Sequence, residues 1–143
     1  MPYLLDADWV IHALGGREPA VTLLPQLATN GLSICPITIA EVYEGAFGSS
    51  NPQDRLASYR QFLAPIPVLP LSDGVIERFA QLRAELRSRG QLIPDFDLLV
   101  AATALNYELT LLTFNIRHFN RIPGLTIYQV TPPSDPRRAR YEG

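Results

Sequence analysis

Lysine is absent from the chain. All 12 basic residues are arginine, which suits bidentate phosphate recognition but equally reflects the base composition of a genome; the absence itself excludes any chemistry that requires a lysine. Cysteine is almost absent too. Cys35 stands alone, so no internal disulfide can form, and its place in LSICPI reads as a small buried thiol rather than a nucleophile. Long hydrophobic runs are missing: none approaches the ~18 residues of a membrane span, and no basic region followed by an apolar segment opens the chain. No membrane partner and a soluble, cytoplasmic setting are therefore expected. The formal charge of −2 carries no overall basic bias towards nucleic acid, although a local arginine patch can still hold phosphate. Internal repeats are lacking.

What is present suits one compact domain: 143 residues with 47% hydrophobic composition can bury a real core. Residues 1–130 are expected to form it, followed by a proline-rich, then basic, loosely ordered tail over 131–143. Short apolar runs alternate with segments of helical period, the pattern of an α/β domain with a mainly parallel sheet flanked by helices. Residues 2–6 read as the first strand, 7–14 as a helix stopped by Gly15 and Gly16, and about 19–29 as a second helix. LSIC reads as a strand. Thr38 and Glu41 fit capping-box spacing at the start of a helix, and Asn51 with Pro52 begins another through about Leu63. IPVLPL is a further strand or an extended edge segment. Ser72 caps a long amphipathic helix ended by Gly90, with Val75, Phe79, Leu82 and Leu86 at helical spacing. Pro94 precedes the helix DFDLLVAATALNYE, LTLLT is a strand, and RIPGLTIYQV supplies a turn and a last short strand.

Three places join acids to the ends of these elements: Asp6 with Asp8, Glu41 with Glu44, and Asp95 with Asp97. Ligands of open α/β sheets bind outside the carboxyl ends of the strands, where these pairs can converge. Such a cluster is costly unless solvent or a cation relieves it, and hard oxygen ligands describe a Mg²⁺ or Mn²⁺ site. Each pair also has a structural reading. Asp6 and Asp8 suit helix N-caps, Glu41 can complete the box with Thr38, and Asp95 suits a first helical turn. Glu44 shares a face with Glu41 that capping does not explain.

Four stretches taken in order, YLLDAD, ITIAEVYEGA, IPDFDLLVAATAL and LLTFNIRHFNRIPGL, resemble the PIN-domain ribonucleases, specifically the VapC toxins of type II toxin–antitoxin pairs. The likeness runs from Tyr3 to about Ile127. Position by position it implies Asp6, Glu41 and Asp97 as the metal-holding acids and Asn115 as the fourth catalytic position, with Thr113 the hydroxyl residue before it. Ala7 and Asp8 depart from the hydroxyl and neutral residues usual after the first acid. Asp8, Glu44 and Asp95 are then additional acids, placed in the outer shell or at a second metal.

The resemblance implies an α/β/α PIN fold and a Mg²⁺-dependent endoribonuclease, Mn²⁺ serving as an alternative, that leaves 5′-phosphate and 3′-hydroxyl ends without a 2′-hydroxyl nucleophile. A cation at Asp6 and Asp97, with Glu41 holding a coordinated water, would polarise the scissile phosphate and activate water for in-line attack. Arg117 and Arg121 are the first candidates to bind RNA. His118 is not assigned as a base, and Trp9 and Phe114 are either stacking platforms for an unpaired base or core aromatics. The implied partners are a second copy of the chain, a structured RNA loop such as that of a tRNA, and a VapB-like antitoxin whose arginine reaches the acids and whose helix fills an apolar groove around residues 37–62. Two other readings compete. DADWV also resembles the start of haloacid-dehalogenase-like phosphatases, which generally need the lysine that is missing here. A non-catalytic PIN-like RNA-binding module, its acids serving only as caps, is the other.

Overall fold

The computed structural model describes residues 2–130; residue 1 and residues 131–143, including the expected tail, lie outside the described residues. The chain forms β1 (Tyr3–Leu5), α1 (Ala7–Leu14), α2 (Ala20–Ala28), β2 (Leu32–Ser33), α3 (Pro36–Phe47), α4 (Pro52–Leu63), α5 (Asp73–Ser88), α6 (Asp95–Asn106), β3 (Thr110–Leu112) and α7 (Ile116–Phe119). The sheet is parallel with order β2-β1-β3. Its first strand is therefore central, and the connections leave it on opposite sides. That reversal opens a crevice at the carboxyl end of β1.

Side-chain alternation makes β1 a seam between two cores. Leu4 and Leu111 face a cluster with Val75, Leu82 and Leu86 of α5 and Leu98, Ala101 and Ala102 of α6. Leu5 and Leu112 face the opposite cluster, with Trp9 and Val10 of α1, Leu24 of α2, Val42 of α3 and Leu56 of α4. These four leucines are fully buried, each contributing about 1.5–3 kcal/mol. Short strands are thus anchored by helices on both faces, the expected α/β/α arrangement. Cys35 is buried in the first cluster, as its apolar setting foretold.

Four local expectations change. The helix placed at Thr38 begins at Pro36, with Cys35 as an N-cap that makes no side-chain bond. Proline at a first helical position loses no hydrogen bond, so the helix extends back past Thr38, whose hydroxyl donates instead to Leu5 O at 3.2 Å. There is no capping box, and Glu41 is free of that duty. IPVLPL contributes only a bridge between Ile34 and Val68, because prolines at 65, 67 and 70 cannot donate to a ladder. RIPGLTIYQV likewise gives one parallel bridge, Leu111 to Ile127, rather than a strand. The turn at Asn115 opens the short helix α7, which the sequence pattern left unmarked.

Candidate active site

Asp6 follows β1 directly, and its own N–H donates to Leu112 O at 2.9 Å, so the sheet fixes where it stands. Its Oδ1 accepts from Ala7 N–H at 2.9 Å, making it the N-cap of α1. Its Oδ2 accepts the Thr113 hydroxyl at 2.7 Å. Capping and membership of the acidic site are therefore one geometry: the cap aims the carboxylate at the crevice. Asp8, one residue into α1, accepts Phe114 N–H at 2.9 Å and lies 3.4 Å from the Thr113 hydroxyl. A hydroxyl has one proton, and the shorter contact assigns it to Asp6. Asp8 thus ties α1 to the loop after β3, while Asn115 N–H donates to Thr113 Oγ1 at 3.1 Å and closes that loop.

Asp97, in the first turn of α6, is held by His118 of α7: His118 Nδ1 lies 2.7 Å from Asp97 Oδ2 and 2.9 Å from the Asn115 side-chain amide. One ring nitrogen cannot donate to Asp97 and also accept from an amide N–H. The ring nitrogen has one proton or one lone pair to share, and the shorter contact assigns Nδ1–H to the Asp97 carboxylate. Glu41 reaches the same region from α3. Its Oε1, like Asp8 Oδ1, is buried without a hydrogen-bond partner.

The acids act on one another through space. Burial, then repulsion from Asp8 and more weakly from Glu41, raises Asp6 from 3.8 to about 7, against the Thr113 and Ala7 hydrogen bonds. Burial also raises Asp8, opposed by the Phe114 and Trp9 N–H groups and by His12. Glu41 is raised by burial and then by Asp97, Asp8 and Glu44. Hard oxygen donors with two unpartnered oxygens and mutually raised affinities for protons match the chemistry of a divalent cation site. Among the described residues, no three such side chains already stand in ligating positions; one reason is that Asp97 Oδ2 is turned to His118.

Other candidates are placed elsewhere. Asp95 forms an ion pair with Arg83 of α5 at 2.9 Å, so it points away from the shared pocket rather than into an outer shell. Glu44 is exposed on α3 and reaches the pocket only through its field on Glu41. Arg117 is exposed, and exposed Arg121 leans on Leu92 O at 3.4 Å. Trp9 is fully buried and stacks on Phe114 with centroids 4.8 Å apart, which withdraws it as a platform for RNA. His12, not singled out from the sequence, stacks on the Phe114 ring at 4.9 Å and lowers the pKa of Asp8; its i,i+4 spacing from Asp8 was the available signal. An apolar groove meets the expected span of residues 37–62 only at Phe62. It is a hollow of about 390 Å³ between α2 and the end of α4, lined by Val21, Leu24, Pro25, Ala28, Phe62 and Ile66 among others.

Residues 3–125 match the PIN domain. Ribonuclease VapC2 of Haemophilus influenzae is 32% identical over 127 residues, covering 87% of this chain and 95% of that protein. The tRNA(fMet)-specific endonuclease VapC of Salmonella typhimurium is 29% identical, over 89% of this chain and 96% of that protein. Among solved structures, VapBC2 from Rickettsia felis bound to a promoter DNA fragment superposes with a TM-score of 0.83 at 28% identity, covering 92% of this chain and 100% of the other. With the acids of three distant segments gathered at the carboxyl end of β1, and with these likenesses along nearly its whole length, the chain belongs to the PIN-domain family, among the VapC proteins.

Proposed function

We propose that this chain is the toxin of a type II toxin–antitoxin pair, a cytoplasmic endoribonuclease that hydrolyses RNA with Mg²⁺, or Mn²⁺ in its place. The observation that carries the reading is the convergence of Asp6, Asp8 and Glu41, whose proton affinities are raised, with Asp97, whose charge acts on Glu41, and with the unpartnered oxygens of Asp8 and Glu41. Asp6, Glu41 and Asp97 would hold the metal. A bound cation would supply Lewis-acid polarisation of the phosphate and a water acidified towards neutral pH.

The chain's own residues prepare that chemistry. Thr113 and Ala7 N–H orient the Asp6 carboxylate, and His118 restrains Asp97 at Oδ2, leaving Oδ1 for another partner. Glu41 Oε1 is buried without a competing donor. Arg117 and Arg121 offer fixed positive charge for phosphate beside α7. Asp6 makes a poor phosphatase nucleophile, because one oxygen caps a helix and the other is tied to Thr113.

Likeness to VapBC complexes supports an antitoxin partner. An antitoxin with an apolar helix for the groove at α2 and an arginine for the acids, a second copy of this chain, and the single-stranded loop of an RNA such as tRNA complete the reading. Antitoxin-free protein is incubated with total RNA and Mg²⁺, with EDTA, and as Asp6→Asn and Asp97→Asn. Cleavage is expected only in wild type with metal. Equal cutting by both variants would remove the proposed site, and no cutting by wild type would leave the RNA-binding module.

A further inference from the structure

The aromatic rings nearest the acids are mostly spent inside the fold. Trp9 is fully buried, and Phe114 stacks on both Trp9 and His12. Phe96 is different: it sits in the first turn of α6 between Asp95 and Asp97, and it is 50% exposed. Leu92, just before α6, and Ile116, at the start of α7 beside Asn115, are exposed as well. Three of the six exposed large hydrophobic residues among those described thus fall on the two segments that carry Asp97, Asn115 and His118. These segments are tied together by His118 Nδ1 on Asp97 Oδ2 at 2.7 Å and by Arg121 Nη1 donating to Leu92 O at 3.4 Å. Exposed hydrophobics scattered singly need no explanation, but a group of them at the rim of a site does.

Positive charge accompanies this apolar rim. Arg83 of α5 donates through Nε to Asp95 Oδ1 at 2.9 Å. That contact fixes the guanidinium next to the residue before Phe96 and leaves its two terminal nitrogens as a fork, without a protein acceptor among the described residues. Arg117 and Arg121 are exposed on α7 and just after it. Successive helical residues are turned by about 100°, so Asp95, Phe96 and Asp97 point three ways: to Arg83, outward, and to His118. Chemistry narrows the occupant of this face. A second copy of the chain meeting it about a twofold axis would set Arg117 and Arg121 against their own counterparts. Single-stranded RNA brings phosphate for the arginines and a π-face for the ring.

Resting on the ribonuclease reading, we infer that Phe96 is a stacking platform for an unpaired base next to the scissile phosphate, with the Arg83 fork on a neighbouring phosphate of the same strand. The platform selects strand state rather than base identity: in a duplex each base is covered by its neighbours, whereas a loop can lay a base face on the ring. Holding that base also fixes which phosphate comes to Asp97, one residue along the helix.

The test follows binding in EDTA, by anisotropy of a fluorescein-labelled unstructured RNA and of the same strand in a duplex, over salt concentrations from about 50 to 200 mM. Wild type is compared with Phe96→Ala, Phe96→Leu, Phe96→Trp and Arg83→Gln. Loss of one base stack should weaken single-strand binding about 5- to 150-fold in both Phe96→Ala and Phe96→Leu. Duplex binding and the slope of log K on log salt should stay as in wild type. Phe96→Trp should bind at least as tightly as wild type, and RNA should quench its new exposed indole. Arg83→Gln should lower the slope by about 0.7, the value of one single-strand phosphate contact. With Mg²⁺ and RNA below KM, cleavage by Phe96→Ala should fall by the same factor as its binding.

A loss of less than about fivefold in Phe96→Ala, or wild-type binding by Phe96→Leu, would overturn the platform. So would a halved mass of Phe96→Ala in light scattering, which would assign the ring to contact between copies. Undiminished cleavage by Phe96→Ala would place the ring off the path of the substrate, and an unchanged slope in Arg83→Gln would remove the phosphate contact. If wild type cuts no RNA, the ribonuclease reading fails by itself, and the binding series still decides whether Phe96 stacks a base.

Discussion

Replacing Asp6 by asparagine should make the metal-free protein more stable in alkaline solution while abolishing cleavage. Asp6 titrates at about 7 in the fold, against an ordinary value of 3.8. Between those values the folded protein keeps a proton that the unfolded chain has lost, so stability falls as pH rises through this window. Below about pH 4 the penalty is absent; above about pH 7 it is complete. At about 1.4 kcal/mol per pH unit the bound is about 4 kcal/mol, reduced in practice because Asp8 and Glu41 relax when their neighbour changes. Asparagine imitates the protonated acid: it keeps one carbonyl acceptor for Ala7 N–H or the Thr113 hydroxyl and carries no charge.

The assay is thermal unfolding by circular dichroism in EDTA at pH 4, 5, 6, 7 and 8.5. Wild type and Asp6→Asn should lie closest at pH 4 and separate progressively up to about pH 7, the variant being about 2–4 kcal/mol more stable from there to pH 8.5. For a chain of this size that is a Tm difference on the order of 10 °C. Added Mg²⁺ at pH 8 should raise the wild-type Tm and move the variant much less. Parallel curves from pH 5 to 8.5 would refute the claim that burial and Asp8 hold the Asp6 proton.

Asp95→Asn should leave Mg²⁺-dependent cleavage within twofold of wild type and cost under about 1 kcal/mol, since its partner Arg83 is an exposed ion pair; loss of activity measured on total RNA would return Asp95 to the pocket. Trp9→Ala should destabilise by about 3–5 kcal/mol in urea unfolding, whereas Trp9→Phe should cost less and leave RNA affinity intact, because the indole is buried and its N–H has no partner. Thr38→Val should cost about 1 kcal/mol through the lost bond to Leu5 O, with cleavage preserved; a helix-capping role for Thr38 would predict lost protection of Ile39 to Glu41 in hydrogen exchange. His118→Ala should raise the Mg²⁺ concentration needed for half-maximal cleavage severalfold, since Asp97 loses its restraint at Oδ2.

The acids were legible because their positions depend on strand ends, and strand ends show in apolar runs: YLL before Asp6 and TLL before Thr113. Their partners were not. Thr113 donating to Asp6 spans 107 residues of sequence, and no local period encodes which of two neighbouring carboxylates a hydroxyl serves. Asp95 and Asp97 differ by two positions in one helical turn, so the pattern offered both, and distant partners separate them: Arg83 on the adjoining helix takes Asp95 and His118 holds Asp97. The capping-box spacing at Thr38 misled for a related reason. Pro36 opens the helix earlier, and tertiary demand from Leu5 O takes the hydroxyl that a cap would have used.

The departure at Asp8 gains a physical meaning from this arrangement. A neutral residue there would spare Asp6 its strongest repulsive neighbour, yet Asp8 Oδ2 is the acceptor that holds Phe114 N–H, and with it the turn that carries Asn115 towards His118. The charge therefore does two opposed things: it raises the cost of gathering the acids and fixes the loop that completes their site. Asp8→Asn should separate them, because an amide oxygen still accepts from Phe114 while the repulsion disappears. The midpoint of Asp6 titration, followed by the pH dependence of stability, should then fall towards the ordinary carboxylate range with the loop in place. An unchanged midpoint would mean that burial alone sets the Asp6 proton and that the second acid is there for the loop.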